Sequence, residues 1–488
     1  LKRRETKYGL LLLFILLFGH PVLKAQNSAV FNSPIESTLV PDSQAVHRPS
    51  ENLFVIRNIF IVGNRKTRAD VILRELPFKQ GDKFLLQEIV SKFQLGREQL
   101  LNTSLFNDAI VALKSFEGYN VDVLVEVKER WYLFPLPYFK PVDRNFNQWL
   151  VEQKASLQRV NYGVKVLYNN VTGRNDKLRL WFITGYTHQF SFGYDRLYID
   201  KALKWGMDVQ FAAGKTREVN YNTINNVQAF VKDSNQYLKS FLDATFELTY
   251  RKAIKTRHRF GIGYHVQNIE DTIAKLNPSY YPAGRTQVSY PEFFYTMNYF
   301  DEDYIPYPTK GYAAELTFSK KGFNSVINSW QLSIQGSANW HLRPKTYLNL
   351  RSFASIKLPF DQPFFNRGLL GYGDIFMQGY EYYVIDGVAG GYLKAGLTKE
   401  LISVYGNFLK RQRNQPVRIP LRVFAKIFGN AGYVYNPQPG NNSLENRMLY
   451  SAGAGIDILT YYDFTLKLEF TFNQLGKNGL FLHQMSNF

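Results

Sequence analysis

From about Trp131 onward, apolar and polar positions alternate with period two in short segments separated by polar turns. Trp205, Met207, Val209, Phe211 and Ala213 share one face; Gly206, Asp208, Gln210, Ala212 and Gly214 share the other. Leu242 to Tyr250, Phe260 to Val266, Trp330 to Trp340 and Phe464 to Phe472 repeat the pattern. Charges stay on one face and aromatics gather near segment ends. A soluble β-sandwich also alternates, but the repetition favours strands with an apolar outside, a polar inside and aromatic girdles. Such a sheet in lipid must close, because every backbone group needs a partner. At roughly 22 residues per strand and connection, residues 131–488 hold about 16 antiparallel strands. The stretches 141–160 and 217–240 stay ambiguous.

Residues 53 to 130 read differently. Phe54–Val62 predicts a strand closed by Gly63-Asn64. Thr67 can cap a helix to about Leu76, which Pro77 stops. Leu86, Ile89, Val90, Phe93 and Leu100 recur at helical spacing and predict a second helix from about Leu85 to Leu101. Strands near Phe106–Leu113 and Val121–Lys128 complete a β-α-α-β-β order. Ahead of this unit, Lys2, Arg3, Arg4 and Lys7 precede the apolar run Gly9 to Phe18, with Leu23-Lys24-Ala25 as a cleavage site. This predicts an export signal over 1–25, with a short membrane anchor as the alternative. Residues 26–50 read as a flexible leader. The domain expectation is therefore 1–25, 26–50, 51–130 and 131–488.

Composition narrows the chemistry. The 488-residue chain contains no cysteine, which excludes disulfides, thiolate metal sites and a cysteine nucleophile. A mean hydropathy of −0.27 argues against a helical membrane protein. Formal net charge is +19; with export expected, anionic lipid or simple solubility explains it better than nucleic acid. No phosphate loop, zinc signature or nucleophile elbow appears, so neither an enzyme nor a cofactor is expected. His258 and His265 read as ordinary polar positions, and Asp301-Glu302-Asp303 as a solvated turn.

One stretch breaks the alternation. Gly371 to Gly387 packs four tyrosines and four glycines into 17 residues, which suits a long loop folded into a polar cavity.

The run Ile56-x-x-Ile59-x-Ile61-x-Gly63-Asn64-x-x-Thr67, followed by Ile72-Leu73-Arg74-Glu75-Leu76, resembles a POTRA domain. Three further motifs resemble the BamA/TamA family of outer-membrane assembly and translocation proteins. Pro306 to Tyr312 is similar to its strand-start motif, with Pro308, Gly311 and Tyr312. Met377-Gln378-Gly379-Tyr380-Glu381 stands where the family has its loop-six arginine-glycine-aromatic motif. Phe428-Gly429-Asn430-Ala431-Gly432 is similar to its later strand motif. The resemblance implies a membrane β-barrel of about 16 antiparallel strands preceded by one small α/β POTRA-like domain. It implies an outer-membrane location with that domain in the periplasm, and assistance to the insertion or translocation of client proteins. A secretion pore and a structural porin-like barrel are the alternatives. The implied partners are an unfolded outer-membrane or secreted client and outer-membrane lipid, with periplasmic or lipoprotein partners open. Gln378 and Asn430 replace a charged pair, which implies a neutral lock in which the two amides meet.

Overall fold

The computed structural model describes residues 53–141, 154, 156, 157, 160–324, 326–411 and 415–485; the signal and leader expectations lie outside them. The first domain runs β1 (Phe54–Val62), α1 (Ala69–Glu75), β2 (Lys83–Phe84), α2 (Leu86–Asn102), β3 (Phe106–Glu117) and β4 (Asn120–Glu129). Its sheet order is β2-β1-β4-β3, with β1 parallel to β4. Ile56, Ile72, Leu100, Phe106, Val121 and Val123 are fully buried between helices and sheet; of the stripe expected on the second helix, Ile89 and Leu100 are buried, whereas Leu86 and Val90 face outward. The short β2 was not expected. Nor does Thr67 cap α1: Arg68 holds the N-cap position without a side-chain bond. The Thr67 hydroxyl instead meets Tyr132 and Asn170 at the barrel junction.

The second part is a 16-stranded antiparallel sheet. Its strands are β5 (Leu133–Pro141), β6 (Val160–Asn169), β7 (Lys177–Gly185), β8 (Thr187–Tyr198) and β9 (Trp205–Thr216). After a separate two-stranded hairpin, β10 (Glu218–Ile224) and β11 (Val227–Lys232), come β12 (Lys239–Tyr250), β13 (Thr256–Ile269), β14 (Gln287–Glu302), β15 (Gly311–Lys321), β16 (Ser329–Arg343) and β17 (Thr346–Leu358). A loop carrying the small pair β18 (Gly368–Leu370) and β19 (Ile385–Asp386) leads to β20 (Ala389–Arg411), β21 (Gln415–Tyr435), β22 (Met448–Leu459), β23 (Thr465–Asn473) and β24 (Asn478–Met485). The sheet is therefore the barrel read from the alternation. Residues 217–240 hold the added hairpin and parts of the flanking wall. The C-terminal stretch forms two strands, β23 and β24.

The faces follow the sequence. Phe260, Ile262, Tyr264, Trp330, Leu332, Leu468 and Phe472 are exposed on the outside, whereas Asp208, Glu247, Asn298 and Glu469 are buried on the inside. That arrangement suits lipid outside and a polar interior. β5 and β24 are the two ends of the sheet, and no ladder joins them among the described residues. β20 and β21 run past their neighbours. β17 stops at the Thr346–Lys399 pair, while the β20–β21 ladder continues to Arg411–Gln415.

The small domain sits against the mouth on this same side, here called the proximal end. It touches five of the connecting turns. Asn170 Nδ2 donates to Thr67 Oγ1 at 2.9 Å, and Arg74 Nη1 donates to the Leu203 carbonyl at 3.1 Å. Arg251 grips Glu75 with two bonds of 2.6 Å. Asn102 bonds the backbone of Glu302 and Ile305, and Arg130 forks onto Asp463 at 2.7 and 3.1 Å. These turns belong to β6–β7, β8–β9, β12–β13, β14–β15 and β22–β23, so the domain straddles the mouth.

Glu75 and Arg251 form a buried charged contact in this junction. Burial opposes ionisation of Glu75, but the Arg251 charge and hydrogen bonds outweigh that and bring its pKa down to about 2. Glu75→Gln leaves Arg251 without its counter-charge and is expected to weaken domain docking by about 3–5 kcal/mol. Limited proteolysis at pH 7 should release the domain faster. Because the folded-state pKa is lowered, the native contact is complete above the ordinary value of 4.5 and is lost as pH falls toward about 2.

Candidate functional site

The loop between β17 and β20 is the sixth on the end opposite the small domain. Its residues Leu369, Leu370, Met377, Tyr380 and Ile385 form one buried cluster with Phe353, Val434, Leu444 and Leu449 of the wall and neighbouring loop. The aromatic, glycine-rich stretch thus folds into the barrel interior. The β10–β11 hairpin closes over it: Val384 N donates to the Asn226 carbonyl at 2.9 Å, and Asn226 is held by Asn442 and Ser443.

Four residues at the tip, Met377 to Tyr380, meet the wall formed by β21, β22 and β23. The Gln378 carbonyl accepts from Ser451 Oγ at 2.5 Å and from Asn430 Nδ2 at 3.4 Å. Asn473 Nδ2 donates to the Gly379 carbonyl at 2.7 Å, and Tyr380 OH to the Tyr450 carbonyl at 3.0 Å. Gly379 N donates to Glu381 Oε2 at 2.8 Å. Met377 lies over Gly432, where a Cβ would come within 2.5 Å of its Sδ. Phe428 lines the same wall, with its ring against Gly453.

The structure places Gln378 beside Asn430 but does not pair their amides, so the neutral lock needs correction. Asn430 reads the Gln378 backbone. The Gln378 amide turns instead to the Glu469 carboxylate, Nε2 to Oε1 at 2.9 Å. A bond to an ionised acceptor is roughly twice as strong as an amide–amide bond, which accounts for the choice. Glu469 is also bonded by Lys426, which reaches Asp457 at 2.6 Å. The cation therefore sits on the wall instead of the loop, and the lock is charged.

The proximal turn between β14 and β15 enters the same network from below. Tyr307 OH donates to Asp457 Oδ2 at 2.9 Å, and its ring stacks on Phe424 at 4.4 Å. Tyr304 bonds Asp463. Asp303 accepts from the backbone of Thr309 and Lys310, and Glu302 from Ser337 and Asn339. The acidic run thus organises this turn and is not merely solvated. Pro308 lends its carbonyl to Asn349 at 3.5 Å. Gly311 starts β15 at φ +109°, where a Cβ would lie 1.9 Å from the Asp301 carbonyl oxygen. Tyr312 faces outward and accepts from Trp340 Nε1 at 3.0 Å.

His258 bonds Tyr295 at 2.8 Å. His265 lies between Asp243 and Glu292, at 2.6 and 3.2 Å. These carboxylates stand on β12 and β14, on either side of β13, so the local sequence around His265 does not show them. Lys426, Ser451, Asn473 and His483 were missed as site residues. Alternation marked an inward face but could not say which inward residues meet the loop.

A sixteen-stranded antiparallel barrel, plugged by its sixth loop and capped by a POTRA-type domain, defines the class. Residues 54–130 match the POTRA family, described as "Surface antigen variable number repeat". No curated protein matches the sequence. Among solved structures, CdiB from Escherichia coli superposes with a TM-score of 0.52 at 12% identity, covering 88% of this chain and 75% of that one. BamA from Haemophilus ducreyi, solved without POTRA domains 1–3, gives 0.48 at 15% identity over 88% and 83%. CdiB from Acinetobacter baumannii gives 0.47 at 10% identity over 89% and 73%. The superposition on the Escherichia coli structure agrees with the fold described above, one POTRA-type domain followed by a 16-stranded antiparallel barrel.

Lys426→Met is expected to leave Glu469 and Asp457 without their shared cation, which weakens the folded barrel by about 3–5 kcal/mol. The double variant Lys426→Met/Glu469→Gln should lose less than Lys426→Met alone. Both are read from the temperature at which the compact gel band converts to the unfolded one.

Proposed function

We propose that this protein works in an outer membrane, with its POTRA domain on the periplasmic side, and assists the insertion or translocation of client proteins. One observation carries the reading: the two end strands of the barrel sheet, β5 and β24, share no ladder among the described residues. The interior, by contrast, is filled from both ends. Loop six occupies it from above, the β14–β15 turn enters it from below, and the POTRA domain straddles the mouth. An unpaired strand edge in lipid is costly and seeks a partner. A client strand can supply that partner at the seam, whereas a route through the lumen first requires loop six to leave.

The POTRA domain offers a receiving edge. β3 is the outer strand of its sheet, and Ile110, Leu113 and Phe116 on it are exposed. An extended client segment could add there as a strand. Outer-membrane lipid is the solvent of the outer wall in this reading. The client's own folding supplies the driving force, so the reading calls for no catalytic step and no cofactor.

Depletion followed by outer-membrane proteomics tests it: β-barrel proteins should decline in abundance. A decline confined to one secreted protein, with barrels unchanged, would transfer the assignment to an export pore. In planar bilayers the purified protein should be nearly silent. A steady large conductance would instead favour export or passive diffusion.

A further inference from the structure

Glu381 of loop six, Glu469 of β23 and His483 of β24 converge inside the barrel. One ligand-capable atom from each lies within 4.8 Å of the others. His483 Nε2 is 3.4 Å from Glu381 Oε1 and 3.4 Å from Glu469 Oε2. All three atoms are buried, and none makes a hydrogen bond. Glu469 is the most enclosed, with its side chain 1% exposed. Buried polar atoms in folded proteins are nearly always bonded, so three such atoms facing one point call for a ligand.

The other oxygen of each carboxylate is already held. Gln378 and Lys426 occupy Glu469 Oε1, and Gly379 N occupies Glu381 Oε2. These bonds fix both carboxylates while leaving one oxygen of each directed at the imidazole. Phe376 and Phe481 stack against the His483 ring, with centroids at 5.0 and 6.5 Å, and set its plane.

We propose that Glu381, Glu469 and His483 bind a divalent transition-metal ion of the zinc class. With bonds of about 2.0–2.1 Å, the edge of a tetrahedral ligand set is about 3.3–3.4 Å, which matches both nitrogen–oxygen separations. A nitrogen ligand beside two carboxylates suits zinc and its neighbours, whereas calcium and magnesium take oxygen ligands. Three protein ligands leave the fourth position for water. Sequence reading assigned no metal: the three residues are scattered over about a hundred positions, and His483 carries no local signature. The ion would join the plugging loop to the last strand of the sheet, next to the seam. The binding claim stands independently of the proposed function.

The test uses the full chain purified in detergent, stripped with EDTA and titrated with zinc chloride alone by calorimetry. One equivalent should bind. His483→Gln and Glu381→Gln should each weaken binding at least tenfold, with His341→Gln as the unaffected control. Gel migration before and after heating reports whether each variant is folded. Cobalt substitution of the unaltered protein gives a second measurement that needs no variant: it should show the visible absorption of a tetrahedral site. No zinc binding by the unaltered protein, wild-type affinity in folded His483→Gln, or a cobalt spectrum without that absorption would each overturn the proposal.

Discussion

In lipid, a backbone amide or carbonyl without a partner has no water to turn to. Fourteen of the sixteen barrel strands answer this demand on both sides, and β5 and β24 answer it on one. Much of the remaining structure is arranged beside that single exception. Loop six is anchored to β21, β22 and β23, the three strands that lead to the β24 edge. Its bonds to Asn430, Ser451, Asn473 and Glu469 tie these strands to a common body. On the proximal side Asp463, in the turn between β22 and β23, is gripped by Arg130, which lies just before β5. The root of β5 is thus fastened by a partly buried ion pair to the turn that leads into β23, the neighbour of the opposite end strand.

The interior contains a continuous run of polar contacts. It passes from Gln378 in the plug to Glu469, Lys426, Asp457 and Tyr307, then through the β14–β15 turn to Asn102 of the POTRA domain. Each charge in it is buried or nearly so, and each depends on its neighbour for compensation. Removing one member therefore disturbs both the loop above and the turn below. The substitution of Gln378 for the arginine implied by the family resemblance loses a positive charge at the tip. Lys426 places a cation on the wall, within reach of two carboxylates, and the electrostatic demand of the site is still met.

The barrel was legible because lipid outside and polar contacts inside impose a strict period of two, and a one-residue slip would invert every side chain. Lateral packing left no such trace. The β10–β11 hairpin alternates like a wall strand, yet among the described residues it forms a ladder only with itself and folds over loop six. Thr67 has the chemistry of a helix cap but stands where Tyr132 and Asn170 compete for its hydroxyl. The Gln378–Asn430 expectation located the right neighbours but assigned the wrong bond, since Glu469 is 91 positions from Gln378 and offers the stronger acceptor. Closing the barrel brings such residues together, so side-chain partners across the lumen depend on strand order and shear, which local alternation does not encode.

β20 and β21 show how the same edge problem is handled beyond the membrane. At 23 and 21 residues, they are about twice the length that a tilted strand needs to cross lipid. Past Lys399 β20 pairs only with β21, and from Leu421 back to Gln415 β21 pairs only with β20, among the described residues, so both outer edges of the ribbon's far part lack ladder partners. Leu401, Ile402 and Val404 are exposed there. A long flat ribbon of this kind would invite uncontrolled pairing. Register shifts between Glu400 and Ile402 and between Asn407 and Leu409 interrupt it, and bulges bend and twist a strand so that an approaching edge finds only short matching runs. The ribbon projects on the POTRA side, where β3 presents a 12-residue outer strand whose register also shifts twice against β4. Both edges near the mouth are therefore broken by bulges. At the seam, the β23–β24 ladder is regular from Thr465–Met485 to Phe472–Asn478. β24 consequently presents a straighter edge than either β3 or the ribbon.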